Sequence, residues 1–409
     1  MQRLPEQGVA WAELERQMQA AKEKDVDWVH GRAAVYIHYA GDDVLEVAKK
    51  AYQMFFSENG LGLRAFHSLA KFESEVVGMG LSLLNGGNAG RGAMTTGGTE
   101  SIFLAVKAAR DWARQARPVV GTPEIVLART AHPAFDKAAH FMGLRTVRVP
   151  VGADFTADVA AMRGAVTPQT VMIVGSAPAY PHGVVDPIAA LAALATEKNL
   201  WMHVDACVGG YIAPFAKKLG APIADFDFAV PGVTSISADL HKYGYTAKGA
   251  STLFFRDADA FGFMAYDFDN WPRGRYLTNT LVGTRAGGAI AAAWAVMNYL
   301  GEAGYLRVTE RILATRRAYE DGLRALGLTV WGRPELGILA YGSDSHDIQA
   351  IGERLASKGW LVGYLTEPMG IHLMLNLTHE PVVDAYLADV AWAMKTADKR
   401  ISTAHAATY

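Results

Sequence analysis

Lys242 lies in the segment Ser237-Ala-Asp-Leu-His-Lys-Tyr-Gly-Tyr-Thr-Ala-Lys-Gly249, between an imidazole and an aromatic ring. A lysine held this way can form a Schiff base with a carbonyl compound. The chemistry needs an amine that is neutral part of the time, and neighbouring cationic or aromatic groups disfavour the ammonium form. His241 and Lys248 are expected to supply that bias. The apolar runs Asp227-Phe-Ala-Val230 and Val233-Thr-Ser-Ile-Ser237 predict a strand leading into the turn, and Leu253-Phe-Phe255 a returning strand. Lys242 would then sit on rigid edges. A His-Lys pair alone describes a solvated lysine in a polar turn, so the reading depends on what accompanies it.

A second motif, Leu200-Trp-Met-His-Val-Asp-Ala-Cys-Val-Gly-Gly210, is an apolar strand ending in a carboxylate. At the carboxyl end of a parallel strand, Asp205 faces the crevice where α/β proteins bind ligands, and the small residues after it let a flat ring approach the backbone. A helix N-cap is the ordinary use of such an aspartate. Paired with Lys242 it fits pyridoxal phosphate, whose ring nitrogen must stay protonated to withdraw electrons. Thr95-Thr-Gly-Gly-Thr-Glu-Ser101 reads as a glycine turn opening a helix. Its free N–H groups make a phosphate cradle, with the Thr99 and Ser101 hydroxyls as added donors, although Thr99 and Glu100 also fit a capping arrangement. No Gly-Lys-Ser/Thr follows, which excludes a Walker loop. Thr130-Ala-His-Pro-Ala-Phe-Asp-Lys137 places His132 just after the strand Glu124-Ile-Val-Leu-Ala128, where its ring can lie on a planar cofactor.

The order of these motifs resembles the fold-type I pyridoxal-phosphate enzymes, in particular the group II decarboxylase and sphingosine-1-phosphate lyase branch, with the lyases the nearer pattern. Gly31-Arg-Ala-Ala-Val-Tyr36, Phe66-His-Ser-Leu-Ala-Lys-Phe-Glu-Ser-Glu-Val76, Ser176-Ala-Pro-Ala-Tyr-Pro-His-Gly-Val-Val-Asp186 and Thr280-Leu-Val-Gly-Thr-Arg-Ala-Gly-Gly288 are similar to further stretches of that family. The resemblance implies pyridoxal 5'-phosphate as cofactor, with Lys242 as its Schiff-base lysine, Asp205 on the ring nitrogen and His132 stacked over the ring. It also implies a phosphate site built from Gly98 and Thr99 together with Ser237 and His241. Gly283 and Thr284 would complete that site across a homodimer whose active sites lie at the subunit interface. Tyr36, Asn59, Tyr180 and Lys248 fall where the family faces its substrate. One departure concerns the substrate's phosphate: the family's Asn-Pro-Leu-His reads Asn59-Gly-Leu-Gly62 here, and Arg64 or His67 is expected to replace the missing histidine.

Bulk properties suit a soluble enzyme. The chain has 409 residues, 51% of them hydrophobic, enough for one large α/β domain and a smaller one. A net charge of −2 offers nothing to nucleic acid. The single cysteine, Cys207, excludes an intrachain disulfide, fits a reducing compartment and reads first as a small packing residue. The amino terminus lacks the apolar core of a signal peptide, and the longest apolar stretch, around Ala289–Met297, is too short for a bilayer. A cytoplasmic protein without a membrane anchor, of bacterial type, is expected. No internal repeat or metal-ligand spacing is present.

The elements that must position these residues follow from periodicity. Two helices, Val9–Lys24 and Asp42–Ser57, predict a helical segment over residues 1–62 that packs over the active site or a second subunit. Strands and helices then alternate over 63–288, including Thr170–Val174, a helix Pro187–Lys198, and Leu200–Val204. That pattern predicts a cofactor-binding domain with a mostly parallel sheet and right-handed crossovers, and the resemblance to the fold-type I enzymes implies seven strands in it. A linking helix Gly288–Leu300 leads into a small α+β domain within 289–409, with strands Gly337–Tyr341 and His372–Asn376 and helices Ile348–Lys358 and Val382–Lys399.

Three functions compete at this point. A carbon–carbon lyase would cleave a phosphorylated or otherwise anionic β-hydroxy amine, such as a sphingoid base 1-phosphate, by a retro-aldol reaction that releases an aldehyde, with Tyr36, Tyr180 or Lys248 moving the protons. An amino-acid α-decarboxylase would use the same cofactor frame, because the bond set perpendicular to the ring is the one that breaks. A non-catalytic cofactor-binding scaffold would have no chemical need for Lys242, Asp205, His132 and Lys248 together. The lyase is the expected function.

Overall fold

The computed structural model describes residues 1 and 3–396. Its centre is a seven-stranded sheet built from β1 (Arg91–Thr95), β2 (Glu124–Ala128), β3 (Arg145–Val149), β4 (Thr170–Ser176), β5 (Trp201–Asp205), β6 (Ser235–Ala238) and β7 (Ser251–Phe255), in the order β1-β7-β6-β5-β4-β2-β3. Pairing is parallel from β3 through β6, and β7 runs antiparallel to both its neighbours. Because β1 opposes β7, it points the same way as the parallel strands. The loops that leave β1, β2, β4, β5 and β6 therefore emerge at one edge of the sheet, the edge where doubly wound folds bind ligands.

The central strands are apolar on both faces, as helix-covered parallel strands must be. Val126 of β2 and Ile173 of β4 join one core with Met202 and Phe254, while Ile125, Leu127, Val174 and Phe255 join the other. The first face carries α2 (Asp42–Met54) and α3 (His67–Leu83), and the second α4 (Gly98–Ala116) and α5 (Ala134–Met142). A first helix, Trp11–Lys22, buries none of its residues. The predicted strand at Asp227–Val230 is instead a turn. The Asp227 carboxylate accepts from its own neighbour Ala229 N at 2.9 Å and from Asn85 Nδ2 at 2.9 Å, which offers the backbone an alternative to a ladder.

The linking helix runs much further than its predicted end, over Gly287–Ala325, with a kink where Gly301 adopts a left-handed φ of 53° in open space. Beyond it, a four-stranded antiparallel sheet forms the small domain: Thr329–Val330, Ile338–Gly342, Gly363–Thr366 and Met369–Met374. Helices Ile348–Ser357 and Val383–Thr396 accompany it, and residues 397–399 of the predicted last helix lie outside the described ones. One connection has no counterpart in the periodicity. Residues 32–37, far upstream, are stitched into this domain through Ala34 N to Leu361 O (2.9 Å), Met374 N to Ala34 O (2.7 Å) and Asn376 Nδ2 to Ile37 O (2.9 Å), and Ala34 belongs to the small domain's core. The segment that carries Tyr36 is thus held by the far end of the chain.

Candidate active site

A pocket of about 200 Å³ opens at the carboxyl edge of the sheet, lined by Gly98, Thr99, His132, Tyr180, Asp205, Asp239, His241 and Lys242 among others. They come from the ends of five strands or the turns after them: β1 (Gly98, Thr99), β2 (His132), β4 (Tyr180), β5 (Asp205) and β6 (Asp239, His241, Lys242). The sequence spreads them over almost 150 positions; the sheet topology brings them together.

The β1–α4 turn supplies one wall. No side chain caps the first turn of α4, a helix of 19 residues, so its leading N–H groups remain open at the pocket. A Cβ on Gly98 would lie 2.7 Å from Asp239 Oδ2 and 2.9 Å from Cys207 Sγ, so only glycine fits there. The Glu100 carboxylate holds the turn's shape from behind. It accepts from Thr96 N (2.7 Å), Thr96 Oγ1 (2.5 Å) and, across the fold, Leu281 N (2.8 Å). Ser101, expected as a phosphate donor, is fully buried in a hydroxyl cluster with Thr95 (2.7 Å) and Ser251 (2.9 Å) instead.

Asp205 closes the floor at the end of β5, accepting from Cys207 N (3.1 Å) and Ser237 Oγ (3.3 Å). Ser237 was expected on the cofactor phosphate. Its side chain points instead into the sheet and supports Asp205, because its place on β6 directly opposite Asp205 leaves its hydroxyl between that carboxylate and His203. The direction of this chain of bonds is fixed at its end. A carboxylate only accepts, so the Ser237 hydroxyl donates to Asp205 and must accept from His203 Nε2–H (3.2 Å). His203 Nδ1 then accepts from Ser235 Oγ (2.8 Å), which itself accepts from Trp201 Nε1–H (2.8 Å). Burial pushes the His203 pKa down to about 4, so the ring is the neutral tautomer this relay requires.

Lys242 Nζ stands 3.0 Å from Asp239 Oδ2. This overturns the expectation of a lysine biased toward neutrality by His241 and Lys248. Burial does oppose the ammonium, but the Asp239 carboxylate, itself only 2% exposed, outweighs it and raises the Lys242 pKa. Asp239 was missed in the sequence, and its signal was its place three residues before Lys242 in the same tight turn. Its Oδ1 is buried without a partner. His241 donates Nδ1–H to Ala250 O (2.6 Å), and burial lowers its pKa against the pull of Asp239. His132 accepts from Ala134 N at Nδ1 (3.1 Å), and burial again lowers its pKa despite Asp205, leaving a flat neutral ring beside the pocket. Burial raises the pKa of the Cys207 thiol, which makes it a packing residue.

The remaining candidates form a looser rim. Lys248 is exposed along its stem but turns its amine onto His241 O (3.0 Å) and Tyr36 O (3.5 Å); burial of the amine and then the Lys242 charge lower its pKa. Tyr36 is exposed, with a left-handed φ of 66°. Tyr180 lies with its ring centroid 4.5 Å from that of His372 in the small domain. Asn59 spends its Oδ1 on the N–H groups of Leu61 (3.1 Å) and Gly62 (3.0 Å), pinning its own turn. Arg64 and His67 are exposed and line none of the pocket, since the turn of Gly62 and the start of α3 point them to solvent. Gly283 and Thr284 also lie outside the pocket of their own chain, held in place by Arg285. That guanidinium is buried in a two-pronged pair with Glu73 (2.6 and 2.8 Å) and donates to Met94 O and Gly60 O.

Comparison with known proteins agrees with this geometry. The pyridoxal-dependent decarboxylase conserved domain matches residues 74–327. The chain belongs to this family and is a pyridoxal 5'-phosphate-dependent lyase. Within the family it sits among sphingosine-1-phosphate lyases. It is 40% identical to the sphingosine-1-phosphate lyase of Arabidopsis thaliana over 96% of this chain and 73% of that one, and 40% identical to sphingosine-1-phosphate lyase 1 of Rattus norvegicus over 95% and 68%. The structure of a sphingosine-1-phosphate lyase from Burkholderia pseudomallei superposes with a TM-score of 0.93 at 36% identity, covering 97% of this chain and 93% of that one. The fold is that of the fold-type I enzymes.

The donor set fits the cofactor. An uncapped helix start suits a phosphate, a supported carboxylate suits a protonated ring nitrogen, a neutral imidazole suits a ring face, and the unpartnered Asp239 oxygen beside Lys242 marks a polar site open to a further donor. Among the described residues no helix is long and apolar enough to cross a membrane, and no cluster of metal-ligating side chains occurs.

Proposed function

We propose that the protein cleaves the Cα–Cβ bond of a phosphorylated or otherwise anionic β-hydroxy amine, such as a sphingoid base 1-phosphate, releasing an aldehyde, and that it works as a cytoplasmic homodimer with active sites at the subunit interface. The observation that carries this reading is the convergence of Lys242, Asp205 and His132 on one pocket in a chain whose relatives over nearly its whole length are sphingosine-1-phosphate lyases. Bound pyridoxal phosphate supplies an electron sink for the pair released when the bond breaks.

The side chains have separate tasks. Lys242 would hold the cofactor covalently, and Asp239, 3.0 Å from its amine, would hold that amine's charge when it is free. Asp205, aimed by Ser237 and His203, would keep a proton on the ring nitrogen. His132 would supply a flat, apolar surface for the ring. The open N–H groups at Gly98 and Thr99 take the phosphate, with His241 beside them and the partner subunit's Gly283 and Thr284 closing the site. Lys248, whose amine reaches the carbonyls of His241 and Tyr36, accepts the β-hydroxyl proton with Tyr36 or Tyr180 as relay.

The test is a paired assay of β-hydroxy amine phosphates and free α-amino acids, with aldehyde and carbon dioxide both monitored. Aldehyde from the former is expected, lost in Lys248→Ala and Tyr36→Phe while the visible absorbance of bound cofactor remains. Carbon dioxide without aldehyde from the wild type would replace this reading with an α-decarboxylase.

A further inference from the structure

Separate from the cofactor pocket, with no residue in common, a hollow of about 410 Å³ lies where three parts of the chain meet. Its walls are residues 219–222 after the helix Ala213–Lys218 of the large domain, the second half of the long helix Gly287–Ala325, and residues 332–335 between the first two strands of the small domain. Four arginines line it against two glutamates: Arg316, Arg317, Arg324 and Arg333 with Glu320 and Glu335. Glu320 is already spent, since one of its oxygens accepts from Arg316 Nη1 and the other from Arg324 Nη2 at 2.8 Å. Arg317 and Arg333 are exposed, and neither forms an ion pair among the described residues. Arg316 is the anchor. It is only 9% exposed, yet its Nε is buried without a partner and its one hydrogen bond is the Nη1 contact to Glu320. Burial lowers its pKa; Glu320 opposes that shift, and the charge of Arg317 adds to it. A buried guanidinium short of acceptors and crowded by another cation is costly unless an anion joins it. Burial also raises the pKa of Glu335 although Arg333 and Arg316 pull it down, so the carboxylate not committed to an arginine is the one whose charge burial disfavours.

The structure assigns this hollow to a small multivalent oxyanion, carrying phosphate or carboxylate groups and bound by the guanidinium groups of Arg316, Arg317 and Arg333. A planar fork pairs two N–H groups with two oxygens of either group, and the volume is that of a small-molecule site. The site is distinct from the one that handles the substrate. It nevertheless adjoins a segment leading there: a Cβ on Gly332 would lie 2.6 Å from Val184 Cγ1 and 3.0 Å from Asp154 O, so the turn before Arg333 sits tightly on the loop that carries Tyr180. An anion held at once by Arg333 and Arg316 braces the small domain against the long helix beside that loop.

The experiment titrates holoenzyme calorimetrically with inorganic phosphate and with citrate, at an ionic strength held constant with sodium chloride, while the visible absorbance of the cofactor is followed in parallel. At least one of the two anions is expected to bind and to leave that absorbance unchanged. In the double variant Arg317→Gln with Arg333→Gln, whose exposed side chains the fold does not depend on, its affinity should fall about tenfold to a hundredfold, the range of a lost charge-assisted hydrogen bond. Glu335→Gln removes the opposing charge and should tighten the same anion a few-fold. Tighter binding of phosphate than of citrate identifies a phosphate-bearing ligand, and the reverse a polycarboxylate. No binding of either anion to the wild type, equal affinity in the double variant, or weaker binding in Glu335→Gln overturns the proposal. So does binding that shifts the cofactor absorbance and persists in the double variant, because it would place the anion in the active site.

Discussion

The floor of the active site and its rim are built on opposite principles. On the floor, Asp205, Ser237, His203 and Ser235 are buried, each hydrogen-bonded to the next in a direction set by the carboxylate, and Lys242 faces a buried Asp239. On the rim, Tyr36, Lys248 and Thr99 are exposed, and the Lys248 amine rests on the backbone carbonyls of His241 and Tyr36. Burial makes each floor bond expensive to leave unmade, so the floor tolerates one arrangement. The rim's contacts cost little to exchange, which suits groups that must let substrate in. Chemistry common to the family belongs on such a floor, and substrate choice on such a rim.

The largest effect should come from Lys242→Ala, which removes the pocket-lining lysine proposed to hold the cofactor covalently. Turnover should fall by several orders of magnitude, and borohydride reduction should no longer fix a pyridoxyl mass on the peptide spanning residue 242. A label that persists elsewhere would move the floor to another lysine. Acid should act nearly as strongly on the fold. His182, His203, His372 and His379 are held by burial at pKa values of about 4. Between about pH 6.5 and 4 the unfolded chain binds protons at these rings that the native chain does not, so stability falls as pH falls through that window. Asp186 works the other way. Burial raises its pKa to about 6, so the native chain is the one that binds its proton between about pH 4 and 6. Four groups against one leave a net loss, to be read as a falling urea midpoint. A flat midpoint across the window would mean that the buried rings are not neutral in the fold.

Arg285→Ala probes what joins the two regions. Its pair with Glu73 ties α3, β1, the 58–62 turn and the arm carrying Gly283 and Thr284. Removing the guanidinium leaves the largely buried Glu73 carboxylate with the Met94 N–H as a remaining donor, at a cost of about 3 kcal/mol, measurable by denaturant titration. A loss below about 1 kcal/mol would place this pair with the exchangeable contacts of the rim.

How far the sequence revealed this arrangement depended on whether the deciding contact was local. Strand ends announced Asp205, Lys242 and His132, because a carboxylate, a His-Lys pair and a histidine each followed a short apolar run, and the sheet they imply is the one observed. What pairwise register decides was hidden. Ser237 looked like a phosphate ligand until β6 aligned it opposite Asp205, and nothing near Glu100 in sequence points to Leu281, 181 residues away. The Lys242 ammonium was misjudged for a similar reason. Its cationic neighbours are plain in the motif, but the weight of Asp239 depends on a 3.0 Å approach in a buried turn. Asn59 was a substrate candidate by resemblance and is occupied by its own turn, a use that short polar side chains before glycine commonly find.

The finest distinction between floor and rim is tested by Ser237→Ala. The residue touches no pocket space of its own and carries no charge, so a rim-like group in its place would be nearly silent. As a member of the floor it donates to the Asp205 carboxylate and accepts from His203 Nε2–H and from the Cys207 thiol. Its removal takes one bond from Asp205 and leaves a buried imidazole N–H unpaired. A hydrogen bond to a charged group is worth about 1.5–3 kcal/mol, so turnover is expected to drop about tenfold to a hundredfold. Cofactor affinity should change far less, because the phosphate and the Lys242 linkage are intact. Ser237→Thr keeps the hydroxyl and should restore most of the rate. If the alanine variant lost cofactor affinity in proportion to turnover, the serine would be a phosphate ligand after all, and the relay behind Asp205 would have no part in the chemistry.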